Sequence, residues 1–105
     1  MAEKHFIRAI NEALADAMSA DERVIILGED IAAAGGSFKA TRGLLDRFGD
    51  KRVFDTPISE ATIAGVAVGA ALTGFKPVVE IMFMDFVTLT MDMMVNQAAK
   101  AHAMF

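Results

Sequence analysis

Residues Ser59–Met82, SEATIAGVAVGAALTGFKPVVEIM, decide the fold class. Ser59 stands where a helix N-cap is preferred. Ile63, Val66, Ala67, Ala70 and Ala71 then recur at helical spacing, and Gly74 supplies the stop. Pro77 opens a short apolar run to Met82 that reads as a strand, with proline at its permitted first position. A helix that runs straight into a buried strand is the return half of a βαβ unit.

Toward the N-terminus the pattern repeats. Val24-Ile25-Ile26-Leu27 is continuously apolar and bounded by Gly28, as expected of a strand buried on both faces of a parallel sheet. Before it, Phe6, Ile7, Ile10, Leu14 and Met18 give residues 4–19 one apolar helical face. After it come a small-residue loop, Gly28 to Ser37, a short helix from Thr41 to Phe48 closed by Gly49, and a brief strand at Val53–Asp55. Toward the C-terminus, Phe86, Leu89, Met93, Val95, Gln97 and Ala98 predict one helix over residues 85–101. The fold class is therefore α/β, a mainly parallel sheet flanked by helices. At 105 residues it has one core and no internal domain boundary.

Composition narrows the function. Hydrophobic residues make up 54% and charged residues 23% of the chain, and mean hydropathy is +0.41, so part of the apolar surface is expected to meet another chain. The longest weakly charged stretch, Ala61 to Phe75, is too short for a bilayer span, and no membrane partner is expected. A net charge of −4, with Lys51-Arg52 the one basic cluster, argues against a nucleic-acid surface. The absence of cysteine excludes disulfides, thiolate metal sites and a cysteine nucleophile. The N-terminus has no apolar targeting segment, so a cytoplasmic location is expected. His5 and His102 have no ligand partners at metal spacing, and no metal site is expected in this chain. The glycines of GEDIAAAGGS (Gly28–Ser37) match neither a phosphate loop nor a dinucleotide fingerprint and are turn formers.

Glu60 and the small-residue helix it heads are the first candidate constellation. Glu60 heads the helix, where it is either a solvated first-turn acid favoured by the helix dipole or a functional carboxyl. Gly65 and Gly69 lie four apart on one face, which admits a second backbone closely while costing about 1 kcal/mol each relative to alanine. Met82, at a strand end, and Phe86, at a helix start, read by themselves as core residues. Glu29 and Asp30 follow the first strand at the carboxyl edge of the sheet, as part of an acidic network or as a solvated loop.

The series Glu60, four residues, Gly65-Val66, two residues, Gly69-Ala70 resembles the activating-glutamate motif of thiamine-diphosphate enzymes. LGEDI (Leu27–Ile31), RVFDTPISE (Arg52–Glu60), AGVAVGAALTGFKPVVEIMFMDF (Ala64–Phe86) and DMMVNQAAK (Asp92–Lys100) resemble the β subunits of 2-oxoacid dehydrogenase E1 components. The resemblance runs from about Phe6 to Phe105 and embraces pyruvate, branched-chain 2-oxoacid and acetoin dehydrogenases. It implies that Glu60 hydrogen-bonds N1′ of the cofactor's aminopyrimidine and favours its imino tautomer, for oxidative decarboxylation of a 2-oxoacid or cleavage of acetoin. It also implies that Met82 and Phe86 line that ring.

By the same resemblance, the diphosphate and its Mg²⁺ are held by a Gly-Asp-Gly…Asn motif on a partner E1 α subunit. That motif is absent from this chain. The implied assembly is an α2β2 heterotetramer that passes its acyl group to a lipoyl domain of E2. Residues 1–105 are expected to be the N-terminal part of the pyrimidine-binding domain, with the rest and a C-terminal domain beyond Phe105, and to be inactive and self-associating alone. Two other readings stay open: another transketolase-like enzyme, and a non-catalytic α/β assembly module.

Overall fold

A computed structural model describes residues 5–104. Its centre is a three-stranded parallel sheet in the order β2-β1-β3, with β1 at Val24–Gly28, β2 at Val53–Asp55 and β3 at Lys76–Glu80. All five residues of β1 are buried, as the unbroken apolar run predicts for a central strand covered on both faces. Alternate side chains serve the two faces. Val24 and Ile26 pack with Ala15 and Met18 of helix α1 (Phe6–Ala20), with Leu44 of α2 (Leu44–Phe48), and with Ile31, Ala32 and Val53. Ile25 and Leu27 pack on the other face with Ile63 of α3 (Glu60–Leu72), flanked by Phe54, Ala70, Val79 and Ile81. The expected α/β architecture is present, with helices on both faces.

Several expectations about individual elements change. Helix α1 starts at Phe6, and residue 4, where the predicted helix begins, lies outside the described residues. Its apolar face is only half covered: Met18 is 1% exposed, but Phe6 is 80% exposed. Length is the reason, because fifteen helical residues span about 22 Å. A five-residue strand spans about 16 Å, so the front of α1 overhangs the sheet. Helix α2 begins at Leu44, three residues later than predicted, because Gly43 before it is left-handed (φ 81°). Thr41 instead donates its buried hydroxyl to the Ile31 carbonyl at 2.6 Å.

Strand β3 starts at Lys76 and ends at Glu80, so Pro77 is its second residue and Met82 lies in the bend beyond it. Proline is tolerated there because β3 is an edge strand and Pro77 needs no ladder donor on its open side. The single helix predicted over 85–101 is absent. A 3-10 helix at Met84–Thr90 is followed by a π-helix at Asp92–Ala98 and a short α4 at Ala101–Met104. A tight winding followed by a wide one averages close to the α pitch, which explains the helical spacing of the apolar residues. Thr90 is buried there, donating to Val87 O at 2.6 Å.

Arg52, noted in the sequence only as part of a basic pair, is a structural clamp. Its guanidinium donates to Met18 O at 2.7 Å, Asp21 O at 2.9 Å and Val24 O at 3.0 Å. These carbonyls lie at and just beyond the end of α1, where a cation complements the helix dipole. Lys76 Nζ lies 2.9 Å from Asp21 Oδ2 and ties the same turn to the start of β3.

Candidate functional site

The three strands end side by side, with Gly28 paired to Asp55 on one flank and to Glu80 on the other. Side chains leaving this carboxyl edge converge, as in open α/β sheets generally. Glu29 leaves β1 and is 6% exposed; Glu60, delivered by the 56–59 connection as the first residue of α3, is 9% exposed. The connection is held by the Thr56 N–H, which donates to Gly28 O at 3.0 Å. Glu60 is thus a buried acid, and the solvated first-turn alternative does not describe it.

Ser59 occupies the N-cap position of α3, yet its hydroxyl donates to Thr62 Oγ1 at 2.7 Å and makes no cap bond to the backbone. The first turn of α3 is therefore not capped by the predicted serine.

Glu29 and Glu60 face one another. Burial raises the Glu29 carboxyl above its ordinary range, and a hydrogen bond with Glu60 together with the charges of Glu60 and Asp30 raises it further. Desolvated and beside other carboxylates, Glu29 therefore holds its proton more firmly than a free glutamate would. Asp30 is exposed with φ 54°, which turns the chain away from the edge. A third carboxyl, Glu80, is also raised by burial. Its Oε1 lies 3.6 Å from where a Cβ on Gly36 would sit. Thr56 Oγ1 is buried at this edge with no hydrogen-bond partner among the described residues.

Met82 is half-buried in the bend after β3, and Phe86, on the following 3-10 helix, is 38% exposed. Both therefore lie beyond the carboxyl end of β3 without being closed into the core. Phe83 lies between them in the chain, and Phe38 is a residue that the sequence does not single out. Their rings form a chain: Phe38 to Phe83 at 5.7 Å between centroids and Phe83 to Phe86 at 5.8 Å, both edge to face. Phe38 sits beyond the glycines of the 28–37 loop, where no local periodicity marks it.

On α3, Gly65 is half-buried beside Met93 and Gly69 is exposed. A Cβ on Gly65 would meet Met93 Sδ at an ordinary 3.5 Å, and one on Gly69 would meet nothing within 4 Å. Nothing in the described chain requires glycine at either position. Two grooves are lined by neither member of the carboxyl pair. One of 320 Å³ is lined by His5, Arg8, Lys39 and Arg42 among others, and an apolar one of 280 Å³ runs along α3 beside Ala98 and Ala101. Among the described residues there is no cluster able to hold a metal ion, and no helix is long and apolar enough to cross a membrane.

Comparison with known proteins agrees with the geometry. A mitochondrial pyruvate dehydrogenase E1 component subunit beta of Chaetomium thermophilum is 54% identical over 92 residues, covering 88% of this chain and 24% of that protein. A 3-methyl-2-oxobutanoate dehydrogenase subunit beta of Mycobacterium tuberculosis is 54% identical over 94 residues, 90% of this chain and 27% of its own length. A 2-oxoisovalerate dehydrogenase subunit beta of Bacillus subtilis is 47% identical over 95 residues, 90% and 29% of the two chains. The chain thus spans about a quarter of the length of the curated relatives it matches. The sequence profile of the transketolase pyrimidine-binding domain matches residues 3–105, and the chain belongs to that family.

Proposed function

We propose that this chain is the part of a 2-oxoacid dehydrogenase E1 β subunit that binds the aminopyrimidine ring of thiamine diphosphate, with Glu60 as the activating acid. The observation that supports this best is the burial of Glu60 at the carboxyl edge beside a second, proton-holding carboxyl. The residues present fit the ring. A carboxyl taken out of water can exchange a proton with a weakly basic ring nitrogen, which an acid in water does poorly. The half-open thioether of Met82 and the ring of Phe86 offer soft and aromatic faces to a flat heterocycle. The buried, unpartnered hydroxyl of Thr56 is a further polar group at the same edge.

When bound, the cofactor would supply the electron sink for loss of carbon dioxide from a 2-oxoacid such as pyruvate, or for cleavage of acetoin, before acyl transfer to lipoamide. The task of this chain is to position the pyrimidine, keep water from it and hold a proton at Glu60. Its diphosphate and Mg²⁺ would be held by an E1 α subunit in an α2β2 assembly, with an E2 lipoyl domain as acceptor. The outer face of α3 supports such an assembly, since Val66 and Leu72 remain 50% and 66% exposed on a helix that is apolar all round. A cytoplasmic location, and residues 1–105 as the N-terminal part of the pyrimidine-binding domain, belong to the same proposal.

The test compares wild type with Glu60→Gln in the full-length subunit co-expressed with its α partner. Glutamine keeps the size of the side chain and removes its acid–base function, so 2-oxoacid decarboxylation should fall steeply. Equal turnover by the two proteins would sink the proposal.

A further inference from the structure

Phe38 projects from the loop between β1 and α2, and this loop is pinned rather than loose. The Ala32 N–H donates to Asp55 Oδ1 at 2.8 Å, and the buried Thr41 hydroxyl closes back on Ile31 O. From α1, Asn11 Nδ2 donates to the carbonyls of Ala40 and Arg42 at 2.9 and 3.0 Å, and Lys39 Nζ donates to Ala34 O at 2.7 Å. Within this frame Gly36 (φ 87°) and Lys39 (φ 64°) bracket Ser37-Phe38 with two left-handed turns. Lysine seldom adopts that conformation, and such backbone is kept where its surroundings over-determine it.

The loop holds a phenyl ring that is still 52% exposed and therefore contributes little to the core. What Phe38 does contact is the edge-to-face chain through Phe83 to Phe86. Phe83 is 47% exposed and Phe86 38% exposed, so the core alone does not lock either ring. Each is oriented in part by its aromatic neighbour, and the chain ends on the residue that the proposed function sets against the pyrimidine.

We propose that Phe38 is a positioning residue for cofactor binding: it fixes the ring of Phe83 and, through it, the ring of Phe86. The inference rests on the proposed function. Phe38 acts through its contact with Phe83, and its role is to pre-set a stacking surface so that less freedom is lost on binding.

The experiment uses the full-length subunit assembled with its α partner and titrates thiamine diphosphate with Mg²⁺ by calorimetry, alongside cofactor-free thermal unfolding and turnover at saturating cofactor. Phe38→Ala should weaken cofactor affinity by about two- to ten-fold, the range of one aromatic pair. The cofactor-free unfolding midpoint and saturated turnover should stay near wild type. Phe38→Tyr, which keeps the ring edge, should restore affinity, and Phe38→Leu, which keeps bulk without the ring, should not. The loss should also vanish in a Phe86→Ala background, where there is no ring left to orient.

Unchanged affinity in Phe38→Ala overturns the inference, as does full rescue by leucine or an undiminished loss in the Phe86→Ala background. If Phe38→Ala fails to assemble, Phe38→Leu is judged on the same scale, and wild-type affinity there overturns it equally. Glu60→Gln separates the two levels. A steep loss of turnover in Glu60→Gln with wild-type affinity in Phe38→Ala removes this inference alone, whereas full activity in Glu60→Gln removes the functional reading with it.

Discussion

Replacing Gly28 with alanine tests whether the carboxyl edge is as tightly built as its distances state. A Cβ at this position would stand 2.9 Å from the Glu80 carbonyl oxygen, 3.1 Å from Ile31 Cγ2 and 3.2 Å from Glu80 Cβ. Of these, the carbonyl cannot swing aside, because Glu80 is paired in register with Gly28. Nor can β1 slide away, since Asp55 flanks Gly28 on the other side, and Ile31 is fully buried. Overpacking of this kind costs about 1–3 kcal/mol. Removing a glycine from the unfolded chain returns about 0.4–1 kcal/mol, so the net effect is destabilising by roughly 1–2 kcal/mol. The shift should be visible in urea midpoints. Amide exchange should quicken most at Thr56, whose N–H is bound to Gly28 O. A Gly28→Ala protein as stable as wild type, with Thr56 equally protected, would refute the argument that the strand ends are in contact there.

Two further outcomes follow from the same site and helix. Glu29 holds its proton above the ordinary glutamate range in the folded chain, so the native state binds a proton that the unfolded chain has released. Stability therefore declines as pH rises from near 4.5 toward the raised value and levels off above it. Glu29→Gln should remove that slope in urea midpoints taken between about pH 4 and 8, and an unchanged slope would mean the carboxyl is not perturbed. Gly69→Ala meets no atom within 4 Å and should stabilise the unassembled subunit by about 1 kcal/mol through helix propensity. The same change should weaken association with the α partner, and undiminished association would show that no second backbone approaches this face.

Where the sequence was legible, burial and periodicity coincided. Val24–Leu27 is apolar because both faces of β1 are covered, and within Ser59–Met82 helical spacing gives way at Gly74 to a short apolar run, although Ser59 makes no cap bond and the strand ends at Glu80. Phe6 and Ile10 show the limit, since a helical stripe says which side is apolar and not whether the sheet is long enough to cover it. The 84–98 segment shows another. Mixed 3-10 and π winding keeps an α-like spacing of apolar residues, and the i+3 and i+5 closures leave no mark in that pattern. At the site, Glu60 was visible because it begins a helix, whereas its contact with Glu29 crosses thirty-one positions and depends on the strand order. Phe38 was invisible because its partners, Phe83 and Phe86, are brought to it by a loop whose turns sit at Gly36 and Lys39.

Glu60 and the open apolar face belong to one helix, and this bears on how the carboxyl pair would be controlled. Gly69 lies nine residues after Glu60, about 14 Å along α3 at the helical rise per residue. A partner that packed against Gly65 and Gly69 would extend to within one or two turns of the acid. Its approach would remove water from that end of the helix, and desolvation favours the protonated form of a carboxyl. Burial already dominates the environment of Glu29 before any partner arrives. Further desolvation on assembly would therefore act on Glu29 in the direction the chain has already set. The contrary design, an exposed Glu60 that becomes acidic-buried only in a complex, is ruled out by its 9% exposure here. Under the proposed function, a partner would then have to close the outer face and complete the pocket beyond Met82 and Phe86, while the burial of Glu60 is already in place.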